Sequence, residues 1–91
     1  MSSTLYIDVR RPEEYSTGHI PGAININLED EPQFVAAVCE LVLQHDEVIL
    51  YCHSSMRSSY AQTLLANKHG VAVGNLDGGL TFYQGQLETD I

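Results

Sequence analysis

Apolar and polar positions alternate along this chain in short blocks whose period switches between that of a strand and that of a helix. Leu5-Tyr6-Ile7-Asp8-Val9 is a first apolar run of strand length. Arg11-Pro12-Glu13-Glu14-Tyr15 follows as a short helix, with proline in its first turn and acids where the helix dipole favours them. Gly18-His19-Ile20-Pro21-Gly22 is turn chemistry. Ala23-Ile24-Asn25-Ile26 alternates as a second strand, and Asp30 stands where it can cap a helix running to about Gln44. Val48–Cys52 is a third strand and Ser58–His69 the next helix. Lys68 and His69 suit that helix's negative end, and Gly70 suits a left-handed stop. Val71-Ala72-Val73 reads as a fourth strand, Asp77-Gly78-Gly79 as a turn, and Leu80–Gln84 as a last short helix. Strands alternating with helices predict an α/β fold whose parallel sheet is covered on both faces.

Ninety-one residues suit one domain spanning 1–91, and neither an internal repeat nor a low-complexity linker divides them. No apolar run approaches the roughly 20 residues that span a bilayer. The start, Met1-Ser2-Ser3-Thr4, lacks the basic-then-apolar order of a secretory signal, so a cytoplasmic setting is expected, or a periplasmic one if the sequence is a mature or trimmed form. Twelve carboxylates stand against Arg10, Arg11, Arg57 and Lys68, for a formal net charge of −8. Four scattered cations cannot form the basic stripe that nucleic acid requires. An anionic substrate would be repelled at long range and must rely on donors close to its site.

Cys52 changes the picture from scaffold to chemistry. It closes the apolar run Val48-Ile49-Leu50-Tyr51 and opens a polar loop, His53-Ser54-Ser55-Met56-Arg57-Ser58, that leads into a helix. Open α/β sheets bind ligands beyond the carboxyl ends of their strands, which is where this cysteine falls. Successive loop N–H groups and the positive end of the helix can converge on the sulfur, favouring thiolate and making a concave anion site. Cys39 contrasts with it. Lying among Phe34, Val35, Val38, Leu41 and Val42 at helical spacing, it reads as a packing thiol. Two cysteines make no disulfide framework, and no cysteine or histidine pair has zinc-site spacing; His45 and His69 have no evident partners. No metal and no cofactor are expected.

Four segments in order then carry a resemblance. They are Asp8-Val9-Arg10 with Glu14-Tyr15, Gly18 to Asn25, Cys52 to Ser58, and Leu76-Asp77-Gly78-Gly79. Together, over Leu5 to about Tyr83, the chain resembles the rhodanese-like (sulfurtransferase) family, in particular its small single-domain thiosulfate sulfurtransferases. The resemblance implies a three-layer domain with a parallel sheet of four to five strands flanked by helices. It also implies transfer of sulfane sulfur through a persulfide on Cys52. Only four residues precede the segment matching Leu5–Arg10, where many members have another strand and helix, which favours four strands. The fourth loop position, often glycine in the family, is Ser55; if it needs positive φ, serine adds strain of about 1 kcal/mol or more. Phe82 and Tyr83 stand where the family's tail usually carries tryptophan.

The expected chemistry is attack of the Cys52 thiolate on the outer sulfur of thiosulfate or a persulfide donor, followed by transfer to cyanide, a thiol or a protein acceptor. His53, Ser54, Ser55, Met56, Arg57 and Ser58 would form the substrate cradle, with Arg57 offering a planar fork to two oxygens. Ser58 reads equally as an ordinary helix N-cap. Asp8 and Arg10 are expected to support the site, the carboxylate orienting donors there, whereas Glu14 and His19 read as scaffold. A monomer is expected, acting on small donors without nucleic acid or membrane partners. Three other readings compete. Cysteine phosphatases and arsenate reductases place arginine six positions after the cysteine, where this chain has Ser58, and Arg57 comes one position earlier. A non-catalytic binding or sensing module is the second, against which retention of both Cys52 and Arg57 argues. The third is a sulfur relay that accepts persulfide from a protein donor and ignores thiosulfate, a difference that lies in the surface around the loop and not in its motif.

Overall fold

Side chains alternate across a strand, so Leu5, Ile7 and Val9 share one side of the first apolar run, and Val48, Leu50 and Cys52 share one side of the third. A computed structural model, which describes residues 3–89, pairs those two runs at the centre of a sheet. Its elements are β1 (Thr4–Asp8), α1 (Pro12–Thr17), β2 (Ile24–Asn25), α2 (Glu31–Val42), β3 (Glu47–Tyr51), α3 (Met56–His69) and β4 (Gly74–Asn75), closed by a 3₁₀ turn over Gly79–Thr81. Among the described residues the sheet has four strands, all parallel, in the order β2-β1-β3-β4. Both edges are two-residue strands, which leaves little open ladder for another chain.

The in-register pairs Leu5–Val48 and Ile7–Leu50 put the aliphatic side of β1 and β3 on one face. There α2 contributes Phe34 and Val38, and α3 contributes Ala61 and Leu65, all buried in one cluster with Cys52. The opposite face is covered differently. Ile20, Ala23 and Tyr51 form a second buried cluster, with Tyr6, Leu76, Leu80 and Tyr83 packed against it. The sandwich is therefore lopsided, with two long helices on one side and a short loop plus the closing turn on the other. Among the described residues no helix is long and apolar enough to cross a membrane.

Three element boundaries depart from the hydrophobic pattern, and one expected side-chain cap is not made. The fourth strand is Gly74–Asn75, not Val71–Val73. Val71 and Val73 instead pack partly buried against the main core, as the chain leaves α3 through Gly70 in the left-handed conformation and the Val71 N–H bonds back to the Leu65 carbonyl at 3.0 Å. Gly74 suits the ladder because it lies close to β3, where an added Cβ would come within 3.3 Å of Ile49. The predicted closing helix is only the turn Gly79–Thr81. Asp30 does precede α2, but its side chain makes no capping hydrogen bond. Finally α3 begins at Met56, two residues before Ser58, because Ser55 takes the N-cap position with φ 73°. It is the only non-glycine residue at positive φ among those described.

Candidate active site

Parallel pairing brings Asp8 level with Tyr51, so the chain leaves β1 and β3 at the same end of the sheet. The next residues, Val9-Arg10 and Cys52-His53, are thus neighbours in space, and the Val9 N–H bonds the Tyr51 carbonyl at 3.0 Å. Cys52 is 1% exposed. Its Sγ receives the Ser58 N–H at 3.4 Å and lies 3.5 Å from the Ser58 hydroxyl. Ser58 is completely buried, third in α3, so it faces the sulfur from the first turn of the helix and does not cap it. Burial is the largest influence on the thiol and raises its pKa. The Ser58 hydroxyl and the N–H groups of Ser58, Ser54 and Arg57 together outweigh it, leaving the pKa below that of an ordinary thiol.

The rest of the loop is placed by backbone bonds. The Ser55 carbonyl accepts the Ser59 N–H at 2.9 Å and the Ser58 hydroxyl at 3.3 Å, joining loop to helix. Behind the loop, the carbonyl of Cys52 accepts the Leu80 N–H at 3.1 Å, and that of His53 accepts both the Thr81 N–H at 3.1 Å and the Thr81 hydroxyl at 2.9 Å. Gly79 permits this approach. A Cβ there would stand 2.2 Å from the Cys52 carbonyl oxygen, and the residue is also at positive φ. The Asp77-Gly78-Gly79 turn is thus the back wall of the reactive loop, a role that turn chemistry alone does not reveal. The side chains of His53, Ser54 and Met56 face outward, Met56 being 79% exposed.

Arg57 does not stand free. Its Nη1 and Nη2 donate to Glu14 Oε1 and Oε2 at 2.8 and 3.1 Å, a bidentate pair joining α1 to the loop. The Arg57 fork holds the Glu14 pKa down at about 2, against the penalty of partial burial. Glu14 also accepts the Arg11 N–H at 3.1 Å, closing the first turn of α1. A carboxylate read as scaffold therefore sits on the loop's own cation. The partners are 43 residues apart, and no local spacing could have paired them.

Asp8 and Arg10 come together, but not on the loop. The buried Asp8 carboxylate accepts the Arg10 backbone N–H at 2.9 Å and its Nε and Nη2 at 2.9 and 2.6 Å, and Arg10 Nη2 also reaches the Gly18 carbonyl at 2.6 Å. Beside them Tyr51 accepts the Ile20 N–H at 3.0 Å through its hydroxyl. Burial chiefly, with the Asp8 carboxylate, pushes that phenol's pKa up. The pair secures the strand ends and the 18–23 loop, and so acts on the site at one remove. His19 is scaffold: its ring stacks on Tyr15 with centroids 3.8 Å apart, and its backbone bridges Glu88. Cys39 is half-buried on α2, and both cysteines are free.

The family model for the rhodanese-like domain matches residues 2–86. The chain belongs to the rhodanese-like domain family. It is 37% identical over 82 residues to "Thiosulfate sulfurtransferase 16, chloroplastic" of Arabidopsis thaliana, a match covering 81% of this chain and 68% of the relative. To "Thiosulfate sulfurtransferase PspE" of Escherichia coli it is 34% identical over 73 residues, covering 80% of this chain and 68% of the relative. Against four plant relatives it spans between 45% and 68% of their lengths. A solved structure described as "rhodanese with anions from E. coli" superposes with a TM-score of 0.73 at 32% identity, covering 96% of this chain and 99% of that one. The rhodanese-like domain thus has the four-stranded parallel sheet flanked by helices expected of it, and relatives named for sulfur transfer.

Proposed function

We propose that this rhodanese-like domain is a sulfurtransferase that carries sulfane sulfur from thiosulfate or a persulfide donor to a thiophilic acceptor as a Cys52 persulfide. One observation carries the reading: the Cys52 sulfur is buried at the C-terminal end of β3, facing the Ser58 hydroxyl and inward-turned N–H groups of the loop. Such a thiolate needs no separate base. It attacks the outer sulfur of the donor, the donor's sulfur–sulfur bond breaks, and the electron pair departs on the leaving group. The loop N–H groups then hold the terminal sulfur until cyanide, a low-molecular-weight thiol or a protein thiol removes it. Two half-reactions through one covalent carrier give ping-pong kinetics. Arg57, at the loop's rim, is the cation nearest to any sulfonate oxygen of the donor. The short loop, with arginine five positions after Cys52, fits a sulfur better than a tetrahedral phosphoryl group.

Intact-protein mass spectrometry of reduced protein mixed with thiosulfate, or with an alkyl persulfide, tests this directly. A gain of one sulfur, about 32 Da, that disappears with cyanide or thiol is the expected result of two-step transfer. Cys52→Ser abolishes it and Cys39→Ser leaves it. Adduct retained in Cys52→Ser, or lost in a folded Cys39→Ser variant, would assign the nucleophile wrongly. No adduct from either donor would favour a binding module.

A further inference from the structure

The pairing of Glu14 with Arg57 bears on the donor, and the inference rests on the sulfur-transfer reading above. Both terminal nitrogens of Arg57 are committed to Glu14, in a pair whose side chains remain 41% and 34% exposed at the mouth of the loop. A sulfonate oxygen pair would need that same fork. To take it, a dianionic donor must displace the carboxylate and then sit beside it, charge against charge. Glu14 does not drift away readily, because its Oε1 is also tied to the Arg11 N–H. An alkyl persulfide makes no such demand, since it needs only the Cys52 thiolate and the loop N–H groups.

We propose that Glu14 is a specificity-determining residue, an internal anion that occupies Arg57 and biases the domain toward persulfide donors over thiosulfate. With an alkyl persulfide, the new bond forms between Cys52 Sγ and the outer sulfur, which keeps its proton. The donor's sulfur–sulfur bond breaks and the pair leaves on the alkyl thiolate. With thiosulfate the same bond forms and the pair leaves on sulfite. Neither step needs an oxidant or reductant; the donors differ in leaving group, and only thiosulfate presents a sulfonate to Arg57.

The test compares initial rates of sulfur loading, read by intact mass, from thiosulfate and from an alkyl persulfide generated in situ. Glu14→Gln keeps the side chain's size and one acceptor oxygen but removes the charge and one arm of the fork to Arg57. The thiosulfate-to-persulfide rate ratio is expected to rise about fivefold, the scale of a partly exposed ion pair. That gain should vanish when Arg57→Ala is added, since coupling through one shared partner is what a double-mutant cycle detects. Glu14→Asp, which shortens the reach to Arg57, should move the ratio in the same direction and serves if the glutamine variant folds poorly. A ratio that stays put or falls in a variant with native thermal stability overturns the assignment, leaving Glu14 a brace for the loop. Failure of the unaltered protein to accept sulfur from either donor is a separate result and removes the sulfur-transfer reading itself.

Discussion

One hydroxyl is the largest of the contacts that favour thiolate at Cys52. Ser58 meets the sulfur twice, through its N–H and its Oγ, and only the second belongs to the side chain. Ser58→Ala keeps the N–H and places a good helix former inside α3, so the fold should survive. Loss of a hydrogen bond to a charged group should move the midpoint of the pH–loading profile to higher pH. At pH 7 loading should slow roughly tenfold, while the alkaline plateau stays near its original height. A stopped-flow or quenched loading series from pH 5 to 10 checks this, and an unmoved midpoint would mean the backbone donors alone hold the thiolate. At this scale the sequence was informative where chemistry is local. Cys52 could be read from its place after an apolar run and before a polar loop. Glu14 could not be paired with Arg57, because that contact exists only once the sheet order has brought α1 and α3 to one end.

At the scale of elements, the loop carries its own strain. Ser55 sits in the left-handed region at φ 73°, where a Cβ costs about 1–2 kcal/mol. Its backbone carbonyl ties the loop to α3 through the Ser59 N–H, a bond that glycine at this position would keep. Ser55→Gly relieves the strain, partly offset by the greater freedom glycine gives the unfolded chain. A net gain of about 0.5 kcal/mol is expected, raising Tm by about 2–4 °C in a chain of this size. A lower Tm would show that the serine side chain contributes more than its conformation costs. The same left-handed residue explains why the helix begins two residues earlier than its composition suggests. Ser58 has the identity of a cap, yet the cap position goes to the residue whose backbone turns. Similarly, Val71 and Val73 have strand composition but serve as core lining, and the hydrogen-bonded ladder falls on Gly74 and Asn75, residues of low strand propensity that fit beside Ile49. The central strands and both long helices were readable because each buries a periodic apolar face. Short edge elements, decided by a few tertiary contacts, were not.

Over the whole molecule, charge opposes the substrate that the family's relatives are named for. Twelve acids against four bases give a net charge of −8, and the three arginines are each engaged with a carboxylate, Arg10 with Asp8, Arg11 with Glu29 and Arg57 with Glu14. A thiosulfate dianion therefore approaches through a repulsive field with no free guanidinium to draw it in. Repulsion between like charges weakens as the screening length shrinks from about 30 Å at 0.01 M salt to about 8 Å at 0.15 M. Loading from thiosulfate should accordingly quicken by a few-fold over that range. Loading from an alkyl persulfide, which carries at most one negative charge, should change much less, so the persulfide arm controls for nonspecific effects of salt on the protein. The experiment needs only an inert salt such as potassium chloride, since sulfate would compete for the same site. A thiosulfate rate that falls with salt would reveal a locally positive mouth, with Arg57 outweighing both Glu14 and the rest of the molecule.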